Sequence, residues 1–124
     1  TCTRDVYAPG TAFSLGTAVR IARGIAAAAE HLHRRGILHG DLYAHNILTT
    51  EQGDCLLGDF GAACFFDPAA TSAPALQRLE VRAFGLLLEE LLAHCTAPAD
   101  DATVAALRRV QQQCVQPDVA ARPA

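Results

Sequence analysis

The stretch from Leu15 to Leu32 sets the strongest constraint on what this chain can fold into. Leu15, Ala18, Val19, Ala22, Ile25, Ala26, Ala29 and Leu32 recur at three- and four-residue intervals, the spacing that lines up one face of an α-helix. Ser14 stands where a side-chain oxygen caps a first turn. Arg34, Arg35 and Gly36 bring positive charge to the negative helix end and then a residue that accepts left-handed backbone. The spacing predicts a helix from Leu15 to about Arg35 whose single apolar stripe must be covered by the rest of the chain. Alanine, 25 of 124 residues, favours helix by propensity and says little about function.

The pattern on either side is different. Residues 1 to 13 contain Pro9 and Gly10, show no period, and read as a lead-in. After Gly36 comes the apolar pair Ile37-Leu38 and a polar loop from His39 to Asn46. Ile47-Leu48-Thr49 and Cys55-Leu56-Leu57 read as two short strands around the turn signal Gln52-Gly53-Asp54. Residues 62 to 74 are small and read as a loop, with Phe65 and Phe66 packing it against the core or, as the alternative, offering a docking surface. A buried helix is predicted from about Ala75 to Ala93, ending near residue 94, with Pro74 close to its first turn. Asp100 and Asp101 are cap candidates for a helix from about Ala102 to Cys114, and one more turn follows by residue 124. The fold class is mainly α with a small β-hairpin, in one domain, since 124 residues fall within the usual range of about 100–150.

Charge narrows the function. The net charge is −3, from 13 acidic and 10 basic residues, and all ten basic residues are arginine. This mildly acidic balance argues against a nucleic-acid or membrane-surface partner, which would call for basic patches. Without lysine, no mechanism that needs one can be run from this chain, a P-loop or a Schiff base among them. No apolar run approaches the roughly 20 residues of a membrane span. The five cysteines, at 2, 55, 64, 95 and 114, are odd in number, form no C-x-x-C pair, and read as reduced thiols of a cytoplasmic protein. The chain has no methionine and begins at Thr1, so either a processed product or a piece of a longer protein is expected.

Three oxygen-bearing residues carry the candidate chemistry. Asp41 and Asn46 lie in the loop before the hairpin, and Asp59 lies just after it. A hairpin returns the chain to its start, so the three can meet. Hard oxygen ligands suit magnesium, which takes one or two carboxylates and lets substrate phosphates complete its shell. Phosphoryl transfer needs such ions together with a carboxylate that orients the attacking hydroxyl.

His39-Gly40-Asp41-Leu42-Tyr43-Ala44-His45-Asn46-Ile47-Leu48 resembles the catalytic loop of the protein kinase superfamily, H-R-D-L-x-x-x-N. Asp59-Phe60-Gly61 resembles its metal-binding D-F-G motif. Val81-Arg82-Ala83-Phe84-Gly85 and the leucine-rich run after it are similar to the family's buried helix. The end of the chain, from Cys114 through Asp118 to Arg122-Pro123, is similar to C-x-x-x-D-P-x-x-R-P. The resemblance implies a kinase-like C-terminal lobe over residues 14–124, beginning after a hinge, with the catalytic loop at 39–46, D-F-G at 59–61 and terminal helices at about 102–124. It implies that Asp41 takes the acceptor's proton, that Asn46 and Asp59 hold Mg2+, that Leu48 lies under the adenine of ATP, and that His39 and Phe60 pack to fix the two motifs.

The departures from the family pattern are specific. The N-terminal lobe, with its glycine-rich loop, strand lysine and partner glutamate, is absent from these residues, so the fragment alone is expected to have little or no activity. Gly40 stands in place of the loop arginine and Tyr43 in place of a lysine. Glu80 occupies the position of an aspartate that the family ties to the catalytic loop, and no A-P-E motif precedes the buried helix. The chemistry implied for an intact parent is transfer from Mg-ATP to a protein serine or threonine. Two alternatives are a small-molecule phosphotransferase, similar to the aminoglycoside and choline kinases, acting on a hydroxyl acceptor, and a pseudokinase or interaction module. His31 and His33, two apart on the first helix, read as solvated, and His45 reads as loop filler, with contact to substrate as the alternative.

Overall fold

A computed structural model describes residues 11–98 and 100–124. Most of the expected lead-in, with Cys2, lies outside the described residues. Helix α1 spans Leu15–Arg34. Ser14 Oγ accepts from the Thr17 amide at 3.2 Å, and Gly36 ends the helix at φ +72°, a conformation that glycine adopts without a Cβ penalty. Ahead of the helix, Phe13 bridges to Cys95: its amide donates to the His94 carbonyl at 2.8 Å, and its carbonyl accepts from the Thr96 amide at 2.9 Å.

Four short strands follow α1. β1 is Ile37–Leu38, β2 is Ile47–Thr49, β3 is Cys55–Leu57 and β4 is Cys64–Phe65. β2 and β3 form the expected hairpin, antiparallel with Ile47 opposite Leu57 and Leu48 opposite Leu56. Strand alternation turns Ile47, Cys55 and Leu57 toward the core and leaves Leu48 and Leu56 outside, 73% and 71% exposed. The loop expected over 62–74 is in part strand, because β4 pairs antiparallel with β1. Of the two phenylalanines expected to pack this segment, only Phe66 does so, its ring edge-on to His33 at 6.3 Å; Phe65 is 86% exposed.

Helix α2 spans Ala73–Ala93 and begins two residues before the expected start at Ala75. Proline's fixed φ suits a first helical turn, so the helix starts ahead of Pro74 rather than after it. Helix α3 spans Ala102–Cys114, with Asp101 accepting from the amides of Thr103 and Val104. A single 3-10 turn at Val119–Ala121 follows. The tail is fastened by buried Arg122, which donates from Nε to the Gln116 carbonyl at 2.7 Å and from Nη1 to the Arg78 carbonyl at 3.0 Å. Arg78 Nε donates to the Arg122 carbonyl at 2.9 Å in return.

The core lies where the three helices meet, with Ile21, Ala22 and Ile25 from α1, Leu87, Leu88, Leu91 and Leu92 from α2, and Val104 from α3. Leu42 joins it from the 39–46 loop and is 1% exposed. Burying a leucine or isoleucine contributes roughly 1.5–3 kcal/mol, so this one side chain pins the polar loop to the helical body. Among the described residues, no helix is long and apolar enough to cross a membrane. The described cysteines, Cys55, Cys64, Cys95 and Cys114, are free thiols, and burial raises the pKa of Cys55 and Cys114.

Candidate active site

The loop before β2 ends in a 3-10 turn, Ala44–Asn46, which folds Asn46 back over Asp41. Asn46 Nδ2 donates to the Asp41 carbonyl at 2.7 Å and to its Oδ2 at 2.9 Å. Both amide hydrogens are then committed. Among the described residues, no donor takes the carboxamide oxygen. The hydrogen bond from Asn46 is the largest influence on Asp41 and holds its carboxyl below the usual aspartate range; burial pushes the other way, and His45 adds to the lowering.

His39 is fully buried and fixes the spacing of the two acidic motifs. The Asp41 amide donates to His39 Nδ1 at 3.2 Å, so the ring hydrogen sits on Nε2, which donates to the Gly58 carbonyl at 2.8 Å. Gly58 also donates its amide to the Asn46 carbonyl at 2.8 Å. The peptide just before Asp59 is thus held from both sides by the loop that carries Asp41 and Asn46. The Phe60 ring packs against His39, with centroids 4.9 Å apart. Asp59 itself sits at φ +53°, left-handed backbone that aspartate tolerates better than most residues, and its Oδ1 accepts from the Gly61 amide at 3.2 Å.

The backbone therefore brings the neighbourhoods of Asp41, Asn46 and Asp59 together, and all three offer oxygen donors of the kind a hard divalent cation takes. Among the described residues, no three His, Cys, Asp or Glu side chains form a metal cluster. The arrangement here has two carboxylates and one carboxamide. Leu48 points outward beside Leu56 on the exposed face of the hairpin.

Two histidines outside the predicted set of site residues belong to this region. His45, read as loop filler, places Nε2 3.3 Å from Asp41 Oδ2 and stacks on Tyr43 at 6.0 Å and 9°. His33, read as solvated, is largely buried and bonded to Glu80 at 2.9 Å. Its signal was its place four residues after Ala29, on the flank of the apolar stripe. Glu80 in turn accepts from the His39 amide at 3.1 Å and the Gly40 amide at 2.8 Å, so the acid one methylene longer than the family's aspartate reaches the loop. Burial pushes the Glu80 carboxyl up, but the hydrogen bonds from His33, Gly40 and His39 outweigh it and hold it below its ordinary range.

Gly40 stands at φ +84°, and a Cβ there would lie 2.3 Å from the Ala62 carbonyl oxygen. The segment after Asp59 thus occupies the space into which a loop side chain would project.

The protein kinase domain family matches residues 3–84, from the lead-in to the middle of α2. The chain belongs to the protein kinase domain family. It is similar to the serine/threonine-protein kinase US3 of human herpesvirus 1, with 40% identity over 52 residues, 42% of this chain and 11% of that protein. The serine/threonine-protein kinase US3 homolog of gallid herpesvirus 2 is 40% identical over 63 residues, 51% of this chain and 15% of that one. The serine/threonine/tyrosine-protein kinase HT1 of Arabidopsis thaliana is 26% identical over 95 residues, 63% and 24% respectively. The chain thus spans between 11% and 24% of the length of these relatives. Its helical body with a small antiparallel hairpin is a kinase-like helical lobe.

Proposed function

We propose that this chain is the C-terminal lobe of an ATP-dependent phosphotransferase, with residues 1–13 leading in from a hinge and 14–124 forming the lobe. The Gly58 peptide carries the reading. Tied to the Asn46 carbonyl on one side and to His39 on the other, it sets Asp59 beside the loop of Asp41 and Asn46. In a longer protein that supplies an N-terminal lobe, Asp41 orients the hydroxyl of a protein serine or threonine and accepts its proton. The low proton affinity that Asn46 imposes keeps Asp41 ionised for that step. Asn46, through its uncommitted oxygen, and Asp59 hold Mg2+, which neutralises charge on the ATP phosphates when bound. The exposed pair Leu48 and Leu56 offers an apolar floor for the adenine base.

By itself the chain transfers little or no phosphate. It has no lysine, and losing one preorganised electrostatic group costs about 100- to 1000-fold in rate. The names of the viral relatives support a serine or threonine acceptor. The test is a titration of the chain with Mn2+ and ATP, followed by amide NMR. Paramagnetic broadening centred on Asn46 and Asp59, abolished by Asp59→Ala, is expected. Broadening that spares both residues would falsify the metal assignment.

A further inference from the structure

One stripe of α2 runs along the end of the chain. Arg78 meets Arg122, a Cβ at Gly85 would lie 2.7 Å from the Cys114 Cβ, and Gln111 Nε2 donates to Glu89 Oε2 at 3.5 Å. Positions 78, 85 and 89 are spaced as one helix face. Arg82, four residues after Arg78 and exposed, belongs to the same face. Arg78, Arg82 and Arg122 therefore share one edge of the molecule. Among the described residues, the ion pairs are those of Arg20, His33, Arg34 and His45, so none neutralises these arginines. The acids nearest to them in sequence are engaged elsewhere. Asp67 accepts from the Ala69 amide, Asp118 from the Ala120 amide, and Glu80 from His33 and the loop amides. Arg78 and Arg122 instead hold each other's main-chain carbonyls, which draws two like charges together. Arg122 is only 7% exposed, and its Nε and Nη1 bond carbonyls. No described side-chain nitrogen is both buried and unpaired, so Nη2 opens to the surface. Arg78 commits only its Nε and keeps both terminal nitrogens.

We propose that Arg78, Arg82 and Arg122 form a binding site for a phosphoryl group, whose oxygens take the Arg122 Nη2 hydrogens and the terminal N–H groups of Arg78 and Arg82. A guanidinium presents paired donors that match phosphate oxygens, and a cluster of three suits a dianion better than a single carboxylate. The carbonyl bonds of Arg122 hold its fork in place before a ligand arrives, so little side-chain freedom is lost on binding. The group has two sources, a phosphorylated serine or threonine side chain and the free ion. The site uses no residue of the 39–46 loop and does not rest on the phosphotransfer reading.

The test titrates the unaltered chain with inorganic phosphate and, separately, with acetyl-phosphoserine amide, reading the arginine Nε–H signals by NMR at constant ionic strength. The Arg78 and Arg122 signals are expected to shift together and to saturate with both probes. Tighter binding of the phosphoserine amide supports the site and assigns it to a phosphorylated side chain; tighter binding of phosphate supports it and assigns it to the free ion. No saturation, an equal response to acetate, or shifts shared evenly with Arg20, Arg23 and Arg108 overturns the proposal. A second measurement uses Arg82→Gln, an exposed change that spares the Arg78–Arg122 clasp. It should weaken phosphate binding by about tenfold or more, the scale of one hydrogen bond to a charged group, with the melting temperature in phosphate-free buffer unchanged. Unaltered affinity in that variant overturns the three-arginine site.

Discussion

Asn46 donates both hydrogens of its carboxamide to Asp41, one to the main-chain carbonyl at 2.7 Å and one to the carboxylate at 2.9 Å. The same contact orients the carboxylate, lowers its proton affinity and leaves the Asn46 oxygen for another ligand. Asn46→Ala should therefore raise the Asp41 pKa toward the ordinary aspartate value. A carboxyl-carbon NMR titration of Asp41 reads this directly. An unchanged midpoint would mean that another group holds the carboxylate down.

Glu80 ties α2 to the 39–46 loop and gives the fold a dependence on acid. Its folded pKa lies below the ordinary 4.5 because three hydrogen bonds overcome the upward push of burial. The ionised carboxylate thus contributes stability that is fully present above the unfolded pKa and is lost as pH falls through the folded one. Glu80→Gln should lose about 1–3 kcal/mol at neutral pH, since donors that bonded a carboxylate are left short. It should also respond less to a shift from pH 6 to below 4.5. Urea denaturation at the two pH values tests both parts, and parallel pH slopes for variant and wild type would assign the acid sensitivity elsewhere.

Leu42 anchors the loop to the helical core. Leu42→Ala should cost about 2–5 kcal/mol, the range for emptying a packed leucine site. Loop signals from His39 to Asn46 should shift more than those of α3. A cost below 1 kcal/mol would show that the loop is held by its polar contacts alone.

Returning the family's arginine to position 40 should not rescue anything. Left-handed backbone costs a residue with a Cβ roughly 1–2 kcal/mol, and the Ala62 carbonyl lies 2.3 Å from where that atom would sit. Both Gly40→Arg and Gly40→Ala should lower the melting temperature by several degrees. A thermally neutral Gly40→Ala would mean that the segment after Asp59 moves aside easily.

Local patterns made much of this architecture legible. The stripe from Leu15 to Leu32, the caps at Ser14 and Asp101, and the hairpin around Gly53 each announce themselves within one segment, and the structure has them where the spacing puts them. What was hidden depends on partners distant in sequence. β4 is two residues long and exists only through pairing with Ile37 and Leu38, so no period could reveal it. His33 looks like a polar residue on a helix until Glu80, 47 positions away, is placed beside it. Asp41, Asn46 and Asp59 stood out as oxygen donors on either side of a hairpin, but the peptide that registers them, Gly58, carries no side chain to draw notice.

Asp59 offers the sharpest separation of folding from function. At φ +53° its backbone costs about 1 kcal/mol relative to glycine, held in place by the Gly61 amide on Oδ1. Asp59→Gly relieves that strain and loses the side-chain bond, while the freer unfolded chain costs about 0.5–1 kcal/mol. These contributions nearly cancel, so stability should stay within about 1 kcal/mol of wild type. Binding should not be spared, because glycine offers no oxygen ligand, and Mn2+-induced broadening near Asn46 should vanish at concentrations that saturate the unaltered chain. A variant that melts normally yet still shows the broadening would remove Asp59 from the cation site and leave it as a turn residue.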